Sequence, residues 1–262
     1  MTDQFHAEIP VTEVDLGPGV FAFFTSTVGG VSRGPYESLN VGSMVGDDPQ
    51  DVELNRGLLE QVSGKPIVFA RQVHSNHAHV VTSSTPEWEP HPEADALVTV
   101  EDGHSLAVYV ADCVPVLLAD AAGGVVATAH AGRPGLLSRV ISAAVEQMVA
   151  HGAELGRIHA AIGPAICSTC YEVPLDLAEH FAGETGTAIR TTRWGTSGID
   201  LQGAAKNELK SLGVAQLTVV SECTYEHAGP GGRLFSHRWA THNAQVTGGK
   251  SGRFAGIIGL IR

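Results

Sequence analysis

The chain has 262 residues, 43% hydrophobic and 17% charged, with 28 acidic against 16 basic residues and a net charge of −12. That balance fills a globular core, and the acidic surplus repels phosphate backbones at long range, which excludes generic nucleic-acid binding but not a local cationic pocket for a small anion. No apolar run approaches the ~20 residues that span a bilayer, so no membrane partner is expected, and four cysteines are too few for a disulfide scaffold of this length.

The N-terminal stretch MTDQFHAEIPVTEV has two early acids and no apolar core, so it does not read as a secretory signal; the expected compartment is the cytoplasm. Val20–Thr25 is a short apolar strand running into a glycine-rich turn segment from Thr25 to Gly42. Asp51–Val62 is predicted helical, with Leu54, Leu58, Leu59 and Val62 at helical spacing. The centre of the chain is dense in strands: Ile67–Val73, His79–Val81, Ala96–Val100, Leu106–Val110, Val114–Ala119 and Val125–His130. Several of these runs are continuously apolar, the pattern of strands covered on both faces.

One helix is predicted over Pro134–His151, with Pro134 in the first turn, where a missing N–H costs nothing. Arg157–Ile162 reads as a strand, Leu175–Ala182 and Leu201–Leu212 as helices, Leu217–Ser221 and Phe254–Ile261 as further strands. Strands outnumber helices and several lie at hairpin distance. The expected fold class is therefore α+β, one domain over residues 1–262 with mixed β-sheets flanked by helices. No G-x-G-x-x-G follows the first strand, so a dinucleotide fold has no support.

With thirteen histidines in the chain, a single one says little; position and company decide. His74 ends a strand in ARQVHSN, Cys113 lies between two strands in VADCVPVLLAD, and His130 ends GVVATAH before a glycine turn. Strand ends are where side chains converge on clefts. Two imidazoles and one thiolate match a catalytic zinc site with one open position, where the metal lowers the pKa of a water to about 7. Residue spacing alone favours the plainer reading, a buried free cysteine beside two hydrogen-bonded histidines. His77-x-His79 is the only H-x-H, thin support for a multicopper centre, and blue copper wants an axial methionine, whereas Met148 sits mid-helix. Cys167-x-x-Cys170 looks like a redox motif or half of a zinc knuckle, but without a second C-x-x-C and with Cys223 alone it reads as structural.

Taken together, GGVSRGPYESLNVG, RQVHS, ADALVT, VADCVPVLLAD, AHAG, IGPAICSTCYEV and the late SGR resemble the YfiH-type laccase-domain family, in order from about Phe23 to Arg253. Its members have been called polyphenol oxidases, purine nucleoside phosphorylases and peptidoglycan editing factors. The resemblance implies a single α+β domain, a metal site of His74, Cys113 and His130 holding zinc (copper being the alternative), and a monomer or weak homodimer. It implies phosphorolysis of purine nucleosides, methylthioadenosine included, and deamination of adenosine, so that the partners are a purine nucleoside and phosphate.

This chain departs from the family pattern in places. Thr27 stands where an arginine is usual, H-A-G-W-R-G reads His130-Ala131-Gly132-Arg133-Pro134-Gly135, and S-Y-R-R reads Ser236-His237-Arg238-Trp239. Arg238 and Arg253 are then the remaining candidates to hold phosphate, and Asn40 a candidate to hydrogen-bond substrate. For deamination the leaving ammonia needs a proton; Asp112 is the first candidate to supply it, with Asp95 in reserve. Two rival activities follow from the same residues: a copper polyphenol oxidoreductase, and a cysteine hydrolase of cell-wall precursors with Cys113 as nucleophile and His130 as its base.

Overall fold

The structure, a computed structural model, describes residues 9–86 and 91–261. The start of the N-terminal stretch read above, residues 1–8, lies outside the described residues.

Two mixed sheets form the frame. The first has five strands in the order β1 (Val11–Glu13), β2 (Val20–Thr25), β13 (Phe254–Leu260), β6 (Ser105–Val110) and β3 (Ile67–Val68). The second has six, in the order β12 (Gln216–Val219), β9 (His159–Ile162), β7 (Val114–Asp120), β8 (Val125–Ala131), β5 (Ala96–Thr99) and β4 (Ala78–Val80). β3 with β6, β4 with β5 and β9 with β12 pair in parallel; the remaining neighbours are antiparallel. β10 (Arg190–Thr191) and β11 (Ser197–Gly198) make a separate ribbon. The helices are α1 (Pro49–Ser63), α2 (Arg133–Leu137), α3 (Val140–Ala150), α4 (Leu175–Thr185), α5 (Leu201–Leu212), α6 (His237–His242) and α7 (Ala244–Thr247). The architecture is α+β, as expected.

Alternation along the strands sorts the core into layers. In β7, Val114, Val116 and Leu118 pack with α3, α4 and α5, while Leu117 and Ala119 face the five-stranded sheet. In β13, Phe254, Ile258 and Leu260 face the six-stranded sheet, while Ala255 and Ile257 turn to α1 through Leu59. The order is therefore helices, sheet, sheet, helix. That explains the unbroken apolar runs: every residue of β7 and β8 is buried because both faces are covered. In β8 the helix face takes Val125, Ala127, Ala129 and Ala131, which leaves Thr128 and His130 on the face turned between the sheets.

Two predicted elements differ, each for a visible reason. The helix predicted over Pro134–His151 is two, broken where Arg139 takes a left-handed backbone (φ 65°). The break frees the start of α3, whose third residue, Ser142, donates its N–H and its hydroxyl to the buried Glu208 carboxylate of α5, both at 2.8 Å. A carboxylate at a helix N-terminus satisfies orphan donors and complements the dipole. The strand predicted over Ile67–Val73 pairs only at Ile67–Val68. Beyond it, the Gln72 side-chain amide imitates a strand, accepting from Tyr109 N (3.0 Å) and donating to Tyr109 O (2.9 Å). The chain is then free to turn towards the six-stranded sheet.

Candidate metal centre

His74 follows β3 on a turn with φ 61°, Cys113 lies in the turn between β6 and β7, and His130 is the penultimate residue of β8. Antiparallel pairing sets Pro115 opposite His130 and Val114 opposite Ala131, so Cys113 emerges at the same sheet end as the imidazole. The ligand atoms of the three side chains all lie within 4.8 Å of one another. Cys113 Sγ is 3.7 Å from His74 Nε2, and the two imidazole rings meet edge to face at 4.6 Å. Burial is graded across the centre: His130 is buried, Cys113 part-buried and His74 exposed. One side thus opens outward.

Asp95, just before β5, organises the cluster. Its Oδ1 accepts from His74 N (2.9 Å) and from His130 Nδ1 (2.8 Å). Its Oδ2 accepts from Ser75 N (2.6 Å), Ser75 Oγ (2.8 Å) and Val73 N (3.2 Å). Bonding Nδ1 to a carboxylate leaves Nε2 of His130 as the ligating nitrogen, the usual arrangement behind a metal-bound imidazole. Burial pushes Asp95 upward, but His130 and the Ser75 donors outweigh it and hold the carboxyl at about 2. Asp95 is therefore an anchor, not the reserve proton donor.

The charges within the centre favour the ligating form of sulfur. Burial raises the Cys113 thiol, yet the charge and hydrogen bond of His130, with the hydrogen bond of His74, bring it down to about 6. Burial lowers His130, yet Cys113 and Asp95 lift it to about 9. Without a cation the pair is a thiolate facing an imidazolium. Gly132 supplies room: a Cβ there would lie 2.8 Å from His74 Cδ2 and 2.9 Å from Cys113 Sγ. The donor set, the fixed His130 tautomer and this clearance all fit a tetrahedral zinc site with one open position.

Asp112 is held by a hydroxyl and a backbone N–H. Its Oδ1 accepts from Thr224 Oγ1 and its Oδ2 from Arg238 N, each at 2.6 Å, on a left-handed backbone (φ 96°). Both oxygens are committed, so Asp112 braces the start of α6 beside Cys113. Asn40 is likewise held on every side. It is fully buried, and its amide is spent on Gly42, Asp47 and Arg253 N. It positions Arg253.

The charge of Arg253 is felt at Cys113 and Asp112, and both guanidinium groups bear on His237. Arg238 stacks over Tyr171 at 4.9 Å and donates Nη1 to Glu172 O (2.7 Å). Arg133, displaced one place in the sequence, opens α2 and, with Arg238, acts electrostatically on Tyr171. Thr27 is turned inward, its hydroxyl donating to Gly232 O at 2.8 Å. It lines a cleft of about 570 Å³ together with Phe235, Ser236, Trp239 and Ser251, next in sequence to His237 and close to Arg253. None of His74, Cys113 and His130 lines that cleft.

Among the described residues, His77 and His79 belong to neither cluster of metal-ligating side chains, and Met148 is buried in the helix-side core. Cys223, in contrast, does not stand alone: it meets Cys167, Cys170 and Glu226. Sequence reading missed Gly132, Tyr171, His237 and Thr224. The glycine after His-Ala and the tyrosine after C-x-x-C were visible as motif neighbours, whereas Thr224 carries no local signal.

Comparison with known proteins places these residues in a lineage. A family model described as multi-copper polyphenol oxidoreductase laccase matches residues 21–261. A purine nucleoside phosphorylase of Streptomyces griseus is 44% identical over 236 residues, covering 89% of this chain and 92% of the relative. An adenosine deaminase from an unknown prokaryotic organism is 35% identical over 215 residues, covering 77% and 82%. The crystal structure of Bacillus licheniformis protein YfiH superposes with a TM-score of 0.80 at 31% identity, covering 92% of each chain.

Proposed function

The chain belongs to the multi-copper polyphenol oxidoreductase laccase family, and within it we propose that this protein is a zinc-dependent purine nucleoside enzyme. Its reactions are phosphorolysis of adenosine, inosine and methylthioadenosine, and deamination of adenosine. The observation that carries the reading is the meeting of His74, Cys113 and His130 around one point, with the charge of Arg253 acting on Cys113. The names of the relatives support the substrate class.

His74, Cys113 and His130 would hold the metal, and when bound there zinc supplies Lewis acidity at its open position. The chain's own residues do the rest. Asp95 accepts from Nδ1 of His130 and so turns Nε2 towards Cys113 and His74, and the two histidines hold Cys113 ionised. For phosphorolysis, Arg238 and Arg253 neutralise the incoming phosphate, a role suited to planar guanidinium groups.

A second reading has an observation of its own. Cys113, His130 and Asp95 also line up as nucleophile, base and orienting carboxylate, the logic of a cysteine hydrolase. Copper chemistry on phenols has less support, because His77 and His79 join no cluster among the described residues.

The test is to incubate zinc-loaded protein with adenosine and with inosine, with and without phosphate, and separate the products. Hypoxanthine from inosine only with phosphate, and inosine from adenosine without it, are expected. If neither product forms, the nucleoside reading falls. Iodoacetamide separates the hydrolase: zinc is expected to protect Cys113, whereas a cysteine nucleophile is alkylated and inactivated with or without metal.

A further inference from the structure

β9 and β12 are parallel neighbours with Ile162 opposite Val219, so the loops that follow them leave the sheet side by side. Pairing continues past the strands: Ala165 N donates to Glu222 O and Thr224 N to Ala165 O, both at 3.1 Å. The first loop carries Cys167 and Cys170, the second Cys223 and Glu226. Their three sulfurs and one carboxylate oxygen all lie within 4.8 Å of one another.

We propose that Cys167, Cys170, Cys223 and Glu226 form a second metal site, structural in role, for a zinc-class divalent cation. The donor set is three thiolates and a carboxylate, with two thiolates at the C-x-x-C spacing common to closed tetrahedral sites. The backbone is already wound for it. Cys170 N and Tyr171 N both donate to Cys167 O, at 2.9 and 3.0 Å, folding the two sulfurs to one side. The sulfurs have polar company: Cys167 N donates to Cys223 Sγ (3.3 Å), and the Thr169 hydroxyl lies 3.2 Å from Cys167 Sγ. Arg193 pairs with Glu226 and acts on Cys167 and Cys170, so it and a divalent cation together offset most of the charge of four anionic ligands.

Cys170 and Cys223 belong to the helix-side core, but apolar packing alone does not account for three sulfurs and a carboxylate oxygen meeting within 4.8 Å. A disulfide explains it poorly, because three sulfurs leave one over. The consequence reaches the first centre. Ile166 N holds Asp112 O (3.0 Å), Thr224 holds the Asp112 carboxylate, and Glu172 holds Arg238. A cation tying these two loops together would lock the wall against which Cys113 and Arg238 are set.

The test counts metal per chain in the full-length protein, by mass spectrometry of zinc after loading and desalting. Wild type is expected to hold two equivalents, Cys113→Ala one and Cys167→Ser one. Glu226 is exposed, so Glu226→Gln keeps the fold and is expected to weaken the second equivalent at least about tenfold in chelator competition. In the cobalt-substituted protein, sulfur-to-metal charge-transfer absorption is expected to persist in Cys113→Ala and to fall sharply in Cys167→Ser. One equivalent in wild type and none in Cys113→Ala would overturn the proposal. So would a disulfide among the three cysteines in protein isolated without oxidant. None of these readouts depends on nucleoside turnover, so the second site stands or falls separately from the proposed activity.

Discussion

Replacing Asp95 by asparagine tests how the first centre is built. Five donors converge on this carboxylate: the N–H groups of Val73, His74 and Ser75, the Ser75 hydroxyl and His130 Nδ1. An amide keeps one acceptor oxygen and turns an NH₂ on the other donors. If the nitrogen replaces Oδ2, it faces two backbone N–H groups that cannot rotate away. If it replaces Oδ1, His130 must move its proton to Nε2, the atom the metal needs. Two contributions set the size of the loss. The carboxyl is held at about 2 against an ordinary 3.8, worth about 2 kcal/mol of stability. The sign follows from depression of the folded value: the stabilisation is present above pH 4 and disappears as pH falls towards 2. Leaving buried donors unsatisfied adds about 1–3 kcal/mol. Asp95→Asn is thus expected to lose about 3–5 kcal/mol in urea unfolding of the metal-free protein at neutral pH. Its zinc affinity, read by chelator competition at a temperature where it stays folded, should drop about 10–100-fold. Ser75→Ala, which removes only one donor hydroxyl from the same carboxylate, should cost about 1 kcal/mol and little zinc affinity. A variant Asp95→Asn that binds zinc within about twofold of wild type would refute the role given to this residue.

Other outcomes follow from the same geometry. Gly132→Ala places a methyl 2.8 Å from His74 and 2.9 Å from Cys113; overpacking of about 1–3 kcal/mol should appear as lost zinc, checked by metal content. With Cys113 at about 6 and His130 at about 9, metal entry between those values expels one proton from His130. Apparent zinc affinity should therefore rise about tenfold per pH unit across that window, and more steeply below it; calorimetry in buffers of different ionisation enthalpy counts the protons. Arg238→Ala and Arg253→Ala should each raise the KM for phosphate about 10–100-fold, the worth of a charge-assisted hydrogen bond, while zinc content stays at the wild-type value.

Much of the fold is legible along the chain because burial leaves a local signature. β2, α1 and α5 fall where apolar spacing puts them, and α1 and α5 begin on aspartate caps, Asp48 and Asp200, and end on left-handed glycines, Gly64 and Gly213. The unbroken apolar runs of β7 and β8 correctly announce two covered faces. The helix break at Arg139 is not announced, because its compensation is Glu208, far away in sequence. Nor is the shortness of β3, where Gln72 substitutes a side chain for a strand.

The first centre divides in the same way. That His74, Cys113 and His130 lie at strand ends is a property of the sequence, and family resemblance singles them out from thirteen histidines and four cysteines. Which carboxylate serves them is not readable. Asp112 is next to Cys113 in the chain yet turns to Thr224 and α6, while Asp95, distant from both histidines, fixes each of them. Cys223 stands alone in the sequence and joins Cys167 and Cys170 only because β12 runs parallel to β9. Periodicity reports how one segment is buried, since that depends on neighbours a few residues away. Which segments meet depends on sheet order, a property of the whole chain closing on itself, and both the anchor at Asp95 and the sulfur cluster are decided there.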